Sequence, residues 1–178
     1  ECLSYRFTGF EQFQAVMREH GLAVTEKNGF MSLQGLNRDG QPCTPKIDER
    51  SLTIPIKSEC DKKISDCLRP DRAPVRESEA LSRIVRASLP FAQNIEHFTS
   101  MLERKGIAFN VRTDASGKVT GAVFIDKSSR CVLSSSEIRN MKLSDINDLK
   151  TKTSLKDSDS TRQIDHQQTQ KASASRKM

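Results

Sequence analysis

The side chains most able to do chemistry are few and scattered. Tyr5 is the only tyrosine, and the three histidines are His20, His97 and His166. A tyrosine oxygen can attack a phosphate in line when a metal held by clustered histidines polarises it. No two histidines stand at metal-ligand spacing here. Tyr5 therefore reads as a residue at the edge of a helical unit, and His97 as a partly exposed helix residue. Cys2, Cys43, Cys60, Cys67 and Cys131 contain no Cys-x-x-Cys pair, a poor pattern for zinc or for a disulfide framework. They read as reduced thiols of a cytoplasmic protein, with Cys43 and Cys131 in the core and no base to activate either. Asp114 and Asp126 sit among turn residues, where a carboxylate organises an Asx-turn rather than acid–base catalysis. No glycine-rich phosphate loop of the nucleotide-binding kinds is present. No catalytic residue, cofactor or metal is expected.

What the residue types favour is anion binding. The 178 residues hold 29 Lys+Arg against 23 Asp+Glu, a formal charge of +6 and a pI near 9.2. Basic residues gather over 77–149, from Arg83 and Arg86 through Arg104 to Lys142. Arg112, Lys118, Arg130, Arg139 and Lys142 are the expected DNA contacts. Such residues would neutralise phosphates and give salt-sensitive, largely sequence-independent binding. The alternative is an ordinary solvated surface on a protein-interaction adaptor with no nucleic-acid role. Phe109 and Phe124 alternate with polar residues, which assigns them to a core rather than to base stacking.

The elements that must position these residues are visible as an internal repeat. Phe10 to Val24 lies beneath Ile95 to Phe109 at a constant offset of 85, matching Phe13 with Phe98, Met17 with Leu102 and Gly21 with Gly106. After a three-residue gap the offset becomes 88, matching Gly29 with Gly117, Leu36 with Phe124 and Cys43 with Cys131. In the second copy, Ile95, Phe98, Met101 and Leu102 share one helical face, Asn94 caps the start and Gly106 ends the helix. Ile107 to Val111, Val119 to Ile125 and Arg130 to Leu133 then read as three strands separated by turns. The first copy repeats this with a helix ended by Gly21 and strands at Leu22 to Thr25, Phe30 to Leu36 and around Cys43. The expected fold class is α+β, with two related units of one helix on a three-stranded antiparallel sheet. Each unit is marginal in size, which favours packing of the two together.

The expected domain plan is a first unit over 1–47, a linker over 48–76, a second unit with a leading helix over 77–149, and a disordered basic tail over 150–178. The linker holds four prolines between Pro45 and Pro74, with one edge strand expected at Ser51 to Ile56 and a short helical turn near Asp61 to Leu68. The leading helix places Ala80, Leu81, Ile84, Val85 and Ser88 on one stripe before Pro90. A short helix capped by Ser144 separates the fold from the tail, which has no aromatic residue and too little apolar surface to order itself. Hydrophobic residues are 35% of the chain and mean hydropathy is −0.60, and no apolar run approaches the roughly 18 residues of a membrane span. Membrane insertion is not expected. No secretory leader pattern opens the sequence, and its start at Glu1 rather than Met fits a fragment or a processed product.

One resemblance goes further. Gly106-Ile107, the run Gly117-Lys118-Val119-Thr120-Gly121-Ala122-Val123-Phe124-Ile125-Asp126, and Arg130-Cys131-Val132 resemble the region that follows the nuclease in relaxases of plasmids and transposons, above all Bacteroides-type mobilisation proteins. The resemblance covers about residues 78–149. Where that family carries Asn-Gly-Ser-x-Leu-Gly-Lys, this chain has Ser134-Ser135-Ser136-Glu137-Ile138-Arg139-Asn140, of which Ser136 and Ile138 match. The resemblance implies a non-catalytic C-terminal region lying downstream of a His-x-His nuclease. Such a region would hold DNA, or partners in the relaxosome or the type IV secretion apparatus, during transfer.

Overall fold

The computed structural model describes residues 1–69 and 75–151. In chain order they form α1 (Phe10–Glu19), β1 (Leu22–Lys27), β2 (Phe30–Gly35), β3 (Ile47–Asp48), α2 (Ile56–Cys67), α3 (Val75–Ser88), α4 (Ile95–Glu103), β4 (Ile107–Thr113), β5 (Val119–Asp126), β6 (Cys131–Ser134) and α5 over 143–151. Two three-stranded antiparallel sheets, β1-β2-β3 and β4-β5-β6, confirm the α+β class and the two related units. The helix starts and stops follow the sequence signals. Asn94 Oδ1 accepts the N–H of His97 at 2.8 Å, capping α4. Gly21 and Gly106, at φ +75° and +74°, end α1 and α4 in the left-handed region.

Strand pairing corrects the expected alignment of the two copies. Val24 pairs with Leu33 and Phe109 with Phe124, so the counterpart of Phe124 is Leu33 rather than Leu36. Ile47 pairs with Leu33 as Leu133 pairs with Phe124, which makes Ile47–Asp48 the third strand of the first unit. The error comes from the hairpins. The first turns in two residues, Asn28 (φ 53°) and Gly29 (φ 79°), the geometry of a type I′ turn. The second runs through Asp114 to Lys118 and adds a register shift between Arg112 and Thr113. Gly29 and Gly117 are both left-handed turn glycines, and matching them shifts the strands. Cys43 is consequently not the partner of Cys131. It is exposed on the β2–β3 connection, whereas Cys131 is buried, so only the second of the two is a core cysteine.

The expected linker and its edge strand are corrected as well. Ser51 to Ile56 makes no strand, because β3 has already taken the free side of β2 and the chain turns away through a short 3-10 turn at Glu49–Ser51. Then α2 runs for 12 residues and buries Cys60 against the first unit. It returns to the β1–β2 hairpin, where Lys57 Nζ lies 3.3 Å from Glu26. In the second unit α5 returns to the β4–β5 hairpin: Asn147 receives the N–H of Val119 at 2.8 Å, and Lys150 Nζ donates to Gly117 O at 2.6 Å. The repeated unit is therefore helix, three strands, helix. Ser144 lies inside α5 and does not cap it; Asp145, in the first turn, reaches back to accept the N–H of Lys142 at 3.1 Å. Lys150 and Thr151 still belong to α5. The rest of the expected tail, and 70–74 of the expected linker, lie outside the described residues.

The second sheet is packed on both faces, one of them over only part of its length. Ile107, Phe124, Cys131 and Leu133 meet Leu81 and Val85 of α3, Phe98 and Leu102 of α4, and Ile146 and Leu149 of α5. Phe98 crosses Phe109 edge-on at 5.2 Å, and Phe109 stacks on Phe124 at 5.1 Å. On the other face Ala108, Ile125 and Val132 join Phe7, Phe13, Val16, Met31 and Cys60 of the first unit. The two units thus complete one another, and α1 lies between the sheets. Burying each such phenylalanine contributes roughly 1.5–3 kcal/mol. No helix among the described residues is long and apolar enough to cross a membrane.

Candidate nucleic-acid interface

Helix α3 buries Leu81, Val85 and Ser88 and half-buries Ile84, while Ala80, expected on the same stripe, is exposed. That orientation turns Arg83 and Arg86 outward. Opposite them, the chain before α1 runs beside β6: Arg6 N–H donates to Arg130 O at 2.8 Å, and Val132 N–H donates to Arg6 O at 3.1 Å. This parallel bridge between Arg6 and Cys131 extends the second sheet by one short segment. Beyond β6, Ile138 is anchored in the core at 2% exposure, which holds its neighbour Arg139 at the surface. Between these three elements lies a groove of about 520 Å³, with Arg6, Arg83, Arg86 and Arg139 on its walls.

Two carboxylates, Glu79 and Glu137, stand on the groove walls beside the four arginines, and Glu77 lies just outside them. Glu77 lies 3.7 Å from Arg6. Glu137 accepts from Thr8 Oγ1 at 2.6 Å, from the Ser134 N–H at 2.7 Å and from Gln12 Nε2. Gln12 is itself buried, and its Oε1 receives the Thr8 N–H at 2.6 Å. These neutral donors fix the Glu137 carboxylate in place and leave its oxygens few free sites for direct pairing with an arginine, without cancelling its charge. Among the described residues Arg83, Arg86 and Arg139 have no ion-pair partner. Glu79 makes no ion pair among the described residues.

Of the five expected contacts, the structure brings Arg139 alone into this groove. Arg112 stands on the opposite face of the second sheet, ion-paired with Glu11 of α1. Lys118 sits in the β4–β5 hairpin near α5, and Lys142 at the start of α5. Arg130 occupies the turn before β6 at φ 56°, its carbonyl committed to Arg6. Sequence reasoning missed Arg6, which no local pattern marks. It saw Arg83 and Arg86 as basic, but their outward direction depends on which face of α3 is buried.

The remaining candidates are structural. Tyr5 is buried and meets the His20 ring edge-on at 6.0 Å. His97 Nδ1 accepts the N–H of Gln93 at 3.3 Å. Burial pushes the Cys60 and Cys131 thiols up to about 11, away from thiolate chemistry. Asp114 Oδ1 receives the Ser116 hydroxyl at 2.6 Å and the Lys118 N–H at 3.0 Å, and these bonds lower its pKa. It organises its turn, as its sequence context indicates. Comparison with protein-family models, with curated proteins and with solved structures finds no match to this chain.

Proposed function

We propose that this chain is a non-catalytic accessory region of a conjugative relaxase or mobilisation protein, working in the cytoplasm and holding nucleic acid by its phosphates. The observation that carries the reading is the convergence of Arg83, Arg86 and Arg139, all without ion-pair partners among the described residues, on one groove. Guanidinium groups suit phosphate oxygens because they present paired donors in one plane. The resemblance of residues 78–149 to the region behind relaxase nucleases supports the same assignment, with relaxosome or secretion partners as further ligands.

The test is a salt titration of oligonucleotide binding. Replacing Arg83, Arg86 and Arg139 together by glutamine is expected to weaken binding and to reduce the slope of log affinity against log salt by roughly 2–3, one counterion per lost contact. Replacing Arg112, which is engaged by Glu11, changes that slope by less. An unchanged slope in the triple variant overturns the reading. A protein partner captured equally well at high salt and after nuclease treatment would instead favour the adaptor.

A further inference from the structure

Glu137 stands on the wall of the arginine groove, where its charge repels the phosphates that the arginines would hold. Its bonds point to another use. At Arg6 the chain before α1 is tied to β6 by backbone alone, giving its N–H to Arg130 O and accepting that of Val132. By Thr8 this pairing has ended and side chains take over. The Thr8 N–H goes to Oε1 of Gln12 at 2.6 Å, and the Ser134 N–H goes to Oε2 of Glu137 at 2.7 Å. Thr8 Oγ1 donates to Oε1 of Glu137 at 2.6 Å. Gln12 Nε2 reaches both Oε2 of Glu137 and Ser134 Oγ, the latter at 2.8 Å. Thr8 and Gln12 belong to the first unit, and Ser134 and Glu137 to the second. One carboxylate therefore spans from the segment that carries Arg6 to the segment that carries Arg139.

We propose that Glu137 is a positioning residue of the groove, setting the gap between its Arg6 and Arg139 walls through the bonds it accepts, while its charge works against the ligand. The inference rests on the phosphate-binding reading above. The bridge at Arg6 and the buried Ile138 fix each wall to the second sheet, and Glu137 joins one wall to the other. Bonding and charge are separable at this position. In Glu137→Gln the new amide oxygen takes the Ser134 N–H, and its NH₂ donates to Thr8 Oγ1. The Thr8 hydroxyl then turns its own proton to Gln12 Oε1, already 3.2 Å away. Glu137→Ala removes the charge and the span together.

The two variants of the full chain are compared with the unaltered protein by fluorescence anisotropy, using a labelled oligothymidylate over a salt series. Glu137→Gln is expected to bind as tightly as the unaltered chain or up to about threefold tighter, because a like charge has gone. Glu137→Ala is expected to bind about fivefold weaker, with the slope of log affinity against log salt reduced by about one, the loss of one phosphate contact. Poorer folding lowers the fraction of chain that binds and leaves the slope of the remainder unchanged, so a merely structural role does not produce this split. Equal affinity in the two variants overturns the proposal. Thr8→Val, which cuts the span at its other end and keeps the charge, serves for binding if the alanine variant does not fold, and unchanged affinity there is equally fatal. Amide exchange followed by NMR tests the span without any ligand. The Ser134 N–H is expected to exchange about fivefold faster in Glu137→Ala than in Glu137→Gln. If the unaltered chain binds no oligonucleotide, the groove reading has failed by itself, and equal exchange in the two variants then overturns the span.

Discussion

Asp126 commits its carboxylate to the β5–β6 turn. Burial works against its charge, but the Ser128 and Ser129 hydroxyls, each at 2.6 Å, and their N–H groups outweigh burial and hold its pKa below the ordinary carboxylate value. A depressed folded-state pKa contributes stability that is present above the unfolded value, near 4, and is lost as pH falls through the folded value. Asp126→Asn is therefore expected to cost about 1 kcal/mol at neutral pH. That cost should shrink towards zero as denaturant unfolding is repeated at falling pH below about 4; a difference independent of pH would refute the assignment. Turn-making of this kind is legible in a sequence because Asp126, Ser128 and Ser129 are neighbours in the chain. The arginine groove is not legible in that way. Arg6, Arg83 and Arg139 come from three elements, and the partner that removes Arg112 from the expected contacts, Glu11, sits in the other unit.

At the scale of elements, β3 has two residues and leaves the N–H of Met31 beyond the end of its ladder. The buried carboxylate of Glu49 accepts that N–H at 2.9 Å and, through its other oxygen, the N–H of Lys57 at 2.8 Å. One side chain thus ties the second strand to the first turn of α2. Replacing Glu49 by alanine orphans a buried donor and uncaps the helix, and is expected to cost about 2–3 kcal/mol in chemical denaturation. A loss under half a kcal/mol would show that the tie is dispensable. The same region marks where the sequence stops speaking clearly. In the second unit, apolar alternation and a capping Asn94 placed α4, β4, β5 and β6 to within two residues. In the first, Ile47–Asp48 is too short for a period to show, and α2 presents only Ile56, Cys60 and Ile64 as apolar members of its stripe. Pro55 before it resembles loop punctuation, although here it stands at the helix N-cap.

For the whole molecule, the division of the core decides what each half can do alone. Residues 75–151 contain Phe98, Phe124, Leu102, Ile146 and the rest of one complete cluster. Residues 1–69 need Ala108, Ile125 and Val132 to close theirs. Expressed separately, 75–151 is expected to unfold cooperatively in circular dichroism, while 1–69 shows no cooperative transition. A cooperative 1–69 fragment would contradict the shared core. This arrangement also has a consequence in time. A ribosome makes Phe7, Phe13 and Val16 long before it makes Val132, and at roughly 5–20 residues per second the delay is on the order of ten seconds. During that interval the first unit carries an apolar surface with no cover, on a nascent chain long enough to meet others like it. The early half therefore cannot close its core until the strands that carry Ala108, Ile125 and Val132 have been made.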